Sequence, residues 1–365
     1  MKIVIDAREL RATGTGTYLI HLLEELQHLD TEHTYLVLLK PKDIDSWKPT
    51  NRNFIKIPCR YKEFTFAEQL GLWKQLYKLK PDLVHFAMVQ QPVLYQGKVV
   101  TTMHDLTTTR FRNPAKNWLV FTIKQQIYKL VNYWVAHKSQ ALITPSEFVK
   151  EDIARFASIN SRKITVTYEA GDMITEQPEP FPELIDQQFI MYVGRPQPHK
   201  NLDRLVEAFG LLRQQNPALR LVMAGKKDVL YRRLEKGANA KGIKNILFTG
   251  FVSQGQLRWL YEHTAAYVFP SLSEGFGLPG LEAMMHGAPV VSSNATCLPE
   301  VYKDAAEYFD PQNTEDMANT IQKVLNGSDL RKRLTKRRHI VANSYSWQRM
   351  VRQTLDIYSE VLGEK

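Results

Sequence analysis

The 365 residues contain only two cysteines, Cys59 and Cys297, far apart in the chain. That excludes a disulfide framework and a cysteine-based zinc site, and it fits a reducing compartment with both thiols as inert packing residues. No run of eighteen apolar residues occurs, so no segment reads as a membrane-spanning helix. The opening MKIVIDAREL lacks the apolar stretch of a signal peptide and reads as the first β-strand of a cytoplasmic protein. Also missing are the P-loop pattern G-x-x-x-x-G-K-[ST], the G-x-S-x-G elbow and any zinc-ligand spacing. One Asp-x-Asp pair, Asp43 to Asp45, lies in a polar stretch far from the other motifs and reads as surface. No metal is expected. Short repeats and low-complexity tracts are absent as well.

What is present fits a globular protein, with 44% hydrophobic and 24% charged residues. The length exceeds one typical core, so two domains are expected. The formal charge of +10 is uneven: residues 1–172 hold 24 Lys and Arg against 17 Asp and Glu, and residues 173–365 hold 24 against 21. A basic first half points to an anionic partner, whether membrane surface, phosphate-bearing substrate or nucleic acid.

Short apolar runs alternate with amphipathic segments. KIVIDA, TYLVLL, NFIKIP, DLVHF, KVVTTMH, ALITP and KITVTY read as strands in the first half. FIMYVG, LRLVMAG, NILFTG, AAYVFPS and APVVSS repeat the theme in the second. Such alternation predicts parallel sheets covered by helices, an α/β class with two doubly wound domains of similar size. Between the two series, residues 171–188 are rich in Pro and acid and carry no period, as in a linker. The expected division is 1–172 and 173–346. Ligands of such sheets bind beyond the C-terminal strand ends, so two domains with those ends facing would share a cleft.

Four stretches at strand ends carry chemistry. In RATGTGTYL, Gly14 and Gly16 permit close backbone approach, and a helix from Thr17 offers free N–H groups to an anion. It is not a dinucleotide fingerprint, because Leu19 stands where a third glycine belongs; an ordinary tight turn also accounts for it. In VVTTMHDL, His104 follows a buried-looking strand, and Asp105 either orients its imidazole or caps the next turn. In FIMYVGRPQPHKNLDRLVEAF, Arg195 and Lys200 precede a helix, the pattern of a diphosphate clamp; a solvated basic loop is the plainer alternative. In SLSEGFGLPGLEAMMHG, Glu274 and Glu282 flank Gly275, Phe276, Gly277 and Leu278. Pro279 forbids one continuous helix through both, so Glu274 belongs to a loop and Glu282 to the first turn of a helix starting near Pro279. Carboxylates there suit sugar and ribose hydroxyls, and the amides between them suit phosphate oxygens. A nucleotide-sugar satisfies all four stretches with one ligand.

The Glu, seven residues, Glu motif EGFGLPGLE, followed by AMMHGAPVVSS and LPEV, resembles the glycosyltransferases of family 4, which have the GT-B fold. GTGTY, HDL, ITPSEF and YVGRPQPHKNLDRLVEAF follow in the expected order, so the resemblance covers essentially the whole chain. It implies retaining, metal-independent transfer from a nucleotide-sugar bound by the C-terminal domain to an acceptor on the N-terminal one. Glu282 would bind the ribose, Glu274 the donor sugar's hydroxyls, Arg195 and Lys200 the diphosphate. Gly16 would approach the diphosphate, and His104 would lie beside the donor sugar. The last helix, near 347–365, would cross back to the N-terminal domain. Thr17 departs from the pattern, standing where many relatives carry a basic residue.

The acceptor is read from the first half. Residues 115–138 carry an apolar stripe (Leu119, Ile123, Ile127, Leu130, Trp134) with Lys116, Lys124 and Lys129 around it. That spacing is ordinarily a core-facing helix, but with lysines it also fits a helix lying on an anionic membrane. The tract from Arg60 to Lys80 repeats the pattern. A glycan or lipid-linked saccharide acceptor at the inner membrane face follows, with GDP-mannose mildly favoured over a UDP-sugar as donor. Other classes are a nucleotide-sugar epimerase, a sugar phosphorylase, or a non-enzymatic nucleotide-sugar or nucleic-acid binder. The trusted cations sit singly at strand ends rather than in a stripe, so nucleic acid is not expected.

Overall fold

The computed structural model describes residues 1–112 and 118–364, the side chains of Leu119 and Val120 excepted. The chain divides into two compact units. One holds Met1–Thr109, Ile123–Glu169 and Ser346–Lys365; the other holds Ala170–Tyr345 and the described residues of Arg110–Thr122.

The first unit is built on seven parallel strands: β1 (Lys2–Asp6), β2 (Thr34–Leu39), β3 (Phe54–Pro58), β4 (Leu83–Phe86), β5 (Val99–Thr102), β6 (Ala141–Thr144) and β7 (Ile164–Val166). Their spatial order is β3-β2-β1-β4-β5-β6-β7. The central runs are apolar throughout because helices cover both faces, leaving Val4, Val84 and Val99 fully buried. The order reverses between β1 and β4, which puts the switch point there.

The last helix, Trp347–Leu362, belongs to this unit and packs on the helix Thr15–Leu29 and on β4. Ser346 caps it by accepting from the Arg349 N–H, and Met350, Val351, Thr354, Ile357 and Tyr358 form its buried face. At roughly 1.5–3 kcal/mol for each fully buried large apolar side chain, that face suffices to hold a segment distant in sequence.

The second unit has six parallel strands: β8 (Phe189–Val193), β9 (Arg220–Ala224), β10 (Ile246–Gly250), β11 (Ala266–Phe269), β12 (Val290–Ser293) and β13 (Ala306–Phe309). They lie in the order β10-β9-β8-β11-β12-β13, reversing between β8 and β11. Strand β13 was not expected from its sequence, AEYF. As an edge strand it pairs on one side only, and its Glu307 binds Lys323 and Arg333 instead of completing an apolar run.

Three expectations are corrected. Residues 171–188 are no free linker: they lie along the second unit. The Ile174 N–H donates to His286 Nε2 (2.9 Å), the Glu179 N–H to the Gly255 carbonyl (3.0 Å), and Leu184 is buried. Within it Pro182 opens a single 3-10 turn, Pro182–Leu184, and the Glu176 carbonyl accepts from Arg258 Nη1 (2.9 Å). The apolar stripe on the helix Trp118–Lys138 is not core. Ile123, Ile127, Leu130 and Trp134 are all at least half exposed, while Phe121, Asn132, Val135 and Ala136 form the buried side. The tertiary contact thus falls on the opposite face; Lys116 lies outside the described residues. Finally, the Asp-x-Asp pair is not simply surface. Asp43 is buried and 3.7 Å from Arg11 at the head of RATGTGTYL, whereas Asp45 is exposed.

Candidate functional site

In the second unit two loops leave the sheet at its switch point, 194–201 after β8 and 270–277 after β11. They are stitched together. The Leu272 N–H donates to the His199 carbonyl (2.7 Å), and Asn201 Nδ2 donates to the carbonyls of Pro270 (3.1 Å) and Pro311 (2.7 Å). Asn201 is buried with φ 58°, a left-handed conformation that asparagine tolerates better than most residues. Across this junction Lys200 Nζ meets Glu274 Oε1 at 2.5 Å, joining two of the expected site residues. Lys200 also lies 5.6 Å from the centre of the Phe269 ring.

Arg195 takes a different partner. Its Nε donates to Asp228 Oδ2 (2.9 Å), and its side chain is 63% exposed. Asp228 also caps the helix Val229–Ala240, accepting from the N–H groups of Leu230 and Tyr231. Burial opposes charge on Asp228, but the Tyr231 N–H and then Arg195 outweigh it and hold its carboxyl below the usual range. The two cations expected to act together are therefore held by two separate carboxylates.

The helix Leu278–Met285 starts one residue before Pro279, with Gly277 ahead of it at φ 98°. Glu282 consequently stands in the second turn rather than the first, because the left-handed glycine lets the helix begin at Leu278. Burial, and then the charge of Asp172, push the Glu282 carboxyl up to about 7 against a long 3.5 Å contact from the Tyr261 hydroxyl. Gly277 and Gly280 turn out to serve internal packing. A Cβ on either would strike Tyr302, whose hydroxyl donates to the Gly277 carbonyl (2.5 Å). Phe276 packs edge-on against Tyr345, and the Glu274 N–H, just before Gly275, donates to Thr296 Oγ1 (3.1 Å).

In the first unit His104 follows β5 and is largely buried. Its Nδ1 is 3.2 Å from Glu169 Oε1, and its Nε2 is 3.1 Å from the Ala87 carbonyl. Tyr18 packs edge-on at 5.0 Å. Burial disfavours the imidazolium, yet the Glu169 hydrogen bond and charge, then Asp105 and the Ala87 carbonyl, hold the pKa above its ordinary value. Asp105 itself caps the short helix Thr107–Arg110, its Oδ1 accepting from the Thr107 N–H (2.7 Å). Gly14 precedes the helix Thr15–Leu29 at φ 72°, and that helix starts two residues earlier than expected. A Cβ on Gly16 would stand 2.6 Å from the Leu10 carbonyl oxygen, so this glycine seats the helix on the preceding turn.

At the switch point of the first sheet, Arg8 is buried among Asp6 (2.6 Å), Glu68 (2.8 Å) and the carbonyls of Tyr61 and Gln90. Sequence reading missed this group, and it missed Asn201, Asp228, Glu169 and Tyr302. Asn201 and Asp228, each directly ahead of a helix, carried a local signal, and Asp6 stands two residues from Arg8; Glu68, Glu169 and Tyr302 act through contacts across tens of residues.

Residues 12–172 match the family described as Glycosyltransferase Family 4, and residues 174–339 match Glycosyl transferases group 1. O-antigen chain mannosyltransferase B of Escherichia coli is 30% identical over 277 residues, spanning 72% of this chain and 70% of that protein. Among solved structures, sucrose-phosphate synthase of Thermosynechococcus elongatus superposes with a TM-score of 0.76 at 18% identity, over all of both chains. The HepE protein of Anabaena, solved with UDP and glucose, gives a TM-score of 0.74 at 16% identity over 98% of this chain and 99% of that one.

Proposed function

The chain belongs to the family 4 glycosyltransferases with the GT-B fold and is a hexosyltransferase; from that premise we propose that it moves a hexosyl group, with retention and without a metal, from a nucleotide-diphosphate sugar to a glycan or lipid-linked saccharide. The donor favoured is GDP-mannose; the E. coli relative, named a mannosyltransferase, supports the mannose. A UDP-sugar is the second reading, favoured by the Anabaena structures that contain UDP-glucose and UDP. The product belongs to cell-surface polysaccharide or glycolipid synthesis.

The observation that carries the reading is the junction of Lys200 and Glu274 at the switch point of the second sheet. An ion pair there is a ligand site in its resting state. When a diphosphate takes over Lys200, Glu274 is released to accept hydrogen bonds from the sugar's hydroxyls. Glu282 would accept from the ribose, and Arg195, the more exposed cation, would fork onto phosphate oxygens. In the transfer itself, the bond from C1 to the diphosphate oxygen breaks and the acceptor oxygen bonds to C1 on the same face. The acceptor's proton passes to the departing phosphate oxygen. Arg195 and Lys200 stabilise the charge that develops on the leaving group.

The exposed face of the helix Trp118–Lys138 belongs to the acceptor side of this reading. Phe64 meets Tyr128 of that helix (5.8 Å between ring centres), and Phe66 is fully out in solvent beside it in sequence. With Lys124 exposed next to Ile123 and Ile127, the patch suits an anionic lipid surface that presents a lipid-linked acceptor. Among the described residues no helix is long and apolar enough to cross a membrane.

Thermal-shift screening against GDP, UDP and ADP and their sugars tests the donor, since a ligand raises apparent stability by mass action. A shift with GDP-mannose and none with UDP-glucose supports the first reading, and the reverse supports the second. Donor consumption without any acceptor would instead favour an epimerase.

A further inference from the structure

Glu169 and His104 form a contact that the reaction scheme above does not use. Both atoms facing the imidazole, the Glu169 carboxylate oxygen (3.2 Å from Nδ1) and the Ala87 carbonyl oxygen (3.1 Å from Nε2), are acceptors. A neutral imidazole has one N–H and can satisfy only one of them; the doubly protonated ring satisfies both. Glu169 is buried, and an isolated buried carboxylate is costly, so each partner stabilises the charge of the other.

We propose that Glu169 is a positioning residue for sugar transfer: it pins the His104 ring with both nitrogens donating, so that His104 meets the substrate as a fixed cation and takes no proton from it. The ring plane is set from a second side. The Tyr18 ring stands edge-on to His104 at 82°, and the Tyr18 hydroxyl pairs with Thr102 Oγ1 (2.9 Å). Thr102 pairs in turn with His85 Nε2 (2.9 Å), whose Nδ1 meets the Tyr358 hydroxyl of the last helix (2.5 Å). His85 is fully buried, and that burial, with the nearby His104 charge, drives its pKa down to about 3. Two neighbouring histidines are thus kept in opposite states, one neutral and one charged. The charged and titratable groups facing His104 are Glu169, Asp105 and His85, with Tyr18 at the ring edge. A cation with no free lone pair cannot act as the base for the acceptor hydroxyl, which leaves that proton to the departing phosphate. The proposal rests on the transferase reading above and assigns to Glu169 a role within it.

The test combines ring-nitrogen NMR of the full chain, labelled at histidine, with pH profiles of donor consumption. In the wild type at pH 7.5 both His104 ring nitrogens carry protons; in Glu169→Gln one does not. The variant keeps KM within about twofold. Its kcat falls about tenfold for each pH unit above the lowered imidazole pKa, as the imidazolium fraction does, and returns toward the wild-type value near pH 6. Glu169→Asp, which keeps the charge, restores part of the loss. An unprotonated His104 nitrogen in the wild type overturns the proposal, and so does a loss of kcat in Glu169→Gln that is equal at every pH. If the wild type consumes no nucleotide-sugar, the transferase reading fails, while the ring-nitrogen result still decides whether Glu169 fixes the imidazolium.

Discussion

The two sheets wind alike and reverse strand order at equivalent places, yet they load those places differently. At the switch point of the first, Arg8 is 2% exposed and holds Asp6, Glu68 and two backbone carbonyls. At the switch point of the second, Lys200 has one carboxylate, and Arg195 has one and is mostly in solvent. The first cation is fully engaged by the protein and holds its own loops. The others retain donors that a ligand can take over. The difference lies in how much of each cation's hydrogen-bonding capacity the protein already uses.

The comparison breaks most visibly through Arg8. Arg8→Met leaves Asp6 and Glu68 buried beside each other without a cation, and the expected loss is about 3–5 kcal/mol in denaturant unfolding. Next come Arg195→Ala and Lys200→Ala, each expected to lower kcat by about two orders of magnitude or more with a folded protein, measured by steady-state donor turnover. Near-wild-type turnover in both would remove the clamp, and an unfolded Lys200→Ala would make the second switch point as structural as the first.

Glu282 sharpens the contrast through pH. Its folded pKa, about 7, lies above the ordinary carboxylate value, so the folded protein favours the protonated form. The stability this contributes is complete below the unfolded pKa and is lost as pH rises through about 7. Glu282→Gln should match the wild type in Tm at pH 4.5 and exceed it at pH 8. Nucleoside diphosphate binding by the wild type should tighten over the same window, as a ribose-binding carboxylate ionises; affinity flat from pH 6 to 8 by calorimetry would argue against that role. The smallest effect is expected from Leu130→Glu. Stability should stay within about 0.5 kcal/mol, as for an exposed position, while flotation with anionic liposomes weakens. Unchanged flotation would return the stripe to an incidental surface.

Much of this was legible in the sequence. Twelve of the thirteen strands among the described residues follow from apolar runs bounded by turn residues, and the Glu-x7-Glu stretch announces a broken backbone at Pro279. Strand β13 was hidden because an edge strand needs no continuous apolar run. The outward face of the helix Trp118–Lys138 was hidden because periodicity finds an apolar stripe without saying which side meets the core. The amides between Glu274 and Glu282 read as phosphate contacts, and nothing in the sequence showed that the space over Gly277 and Gly280 is filled by Tyr302. Glu169 carried no local signal at all, since its partner lies 65 residues away.

By itself the sequence determined the element types, the two-sheet class and the strand ends where chemistry collects, because these follow from local periodicity and turn residues. Tertiary structure decided which charges are already satisfied. Lys200 meets Glu274, Arg195 meets Asp228, Arg8 is closed off by two acids, and His104 is held by Glu169. Hydrogen-bond valence and burial are properties of neighbours in space, and a linear sequence does not state which neighbours those are.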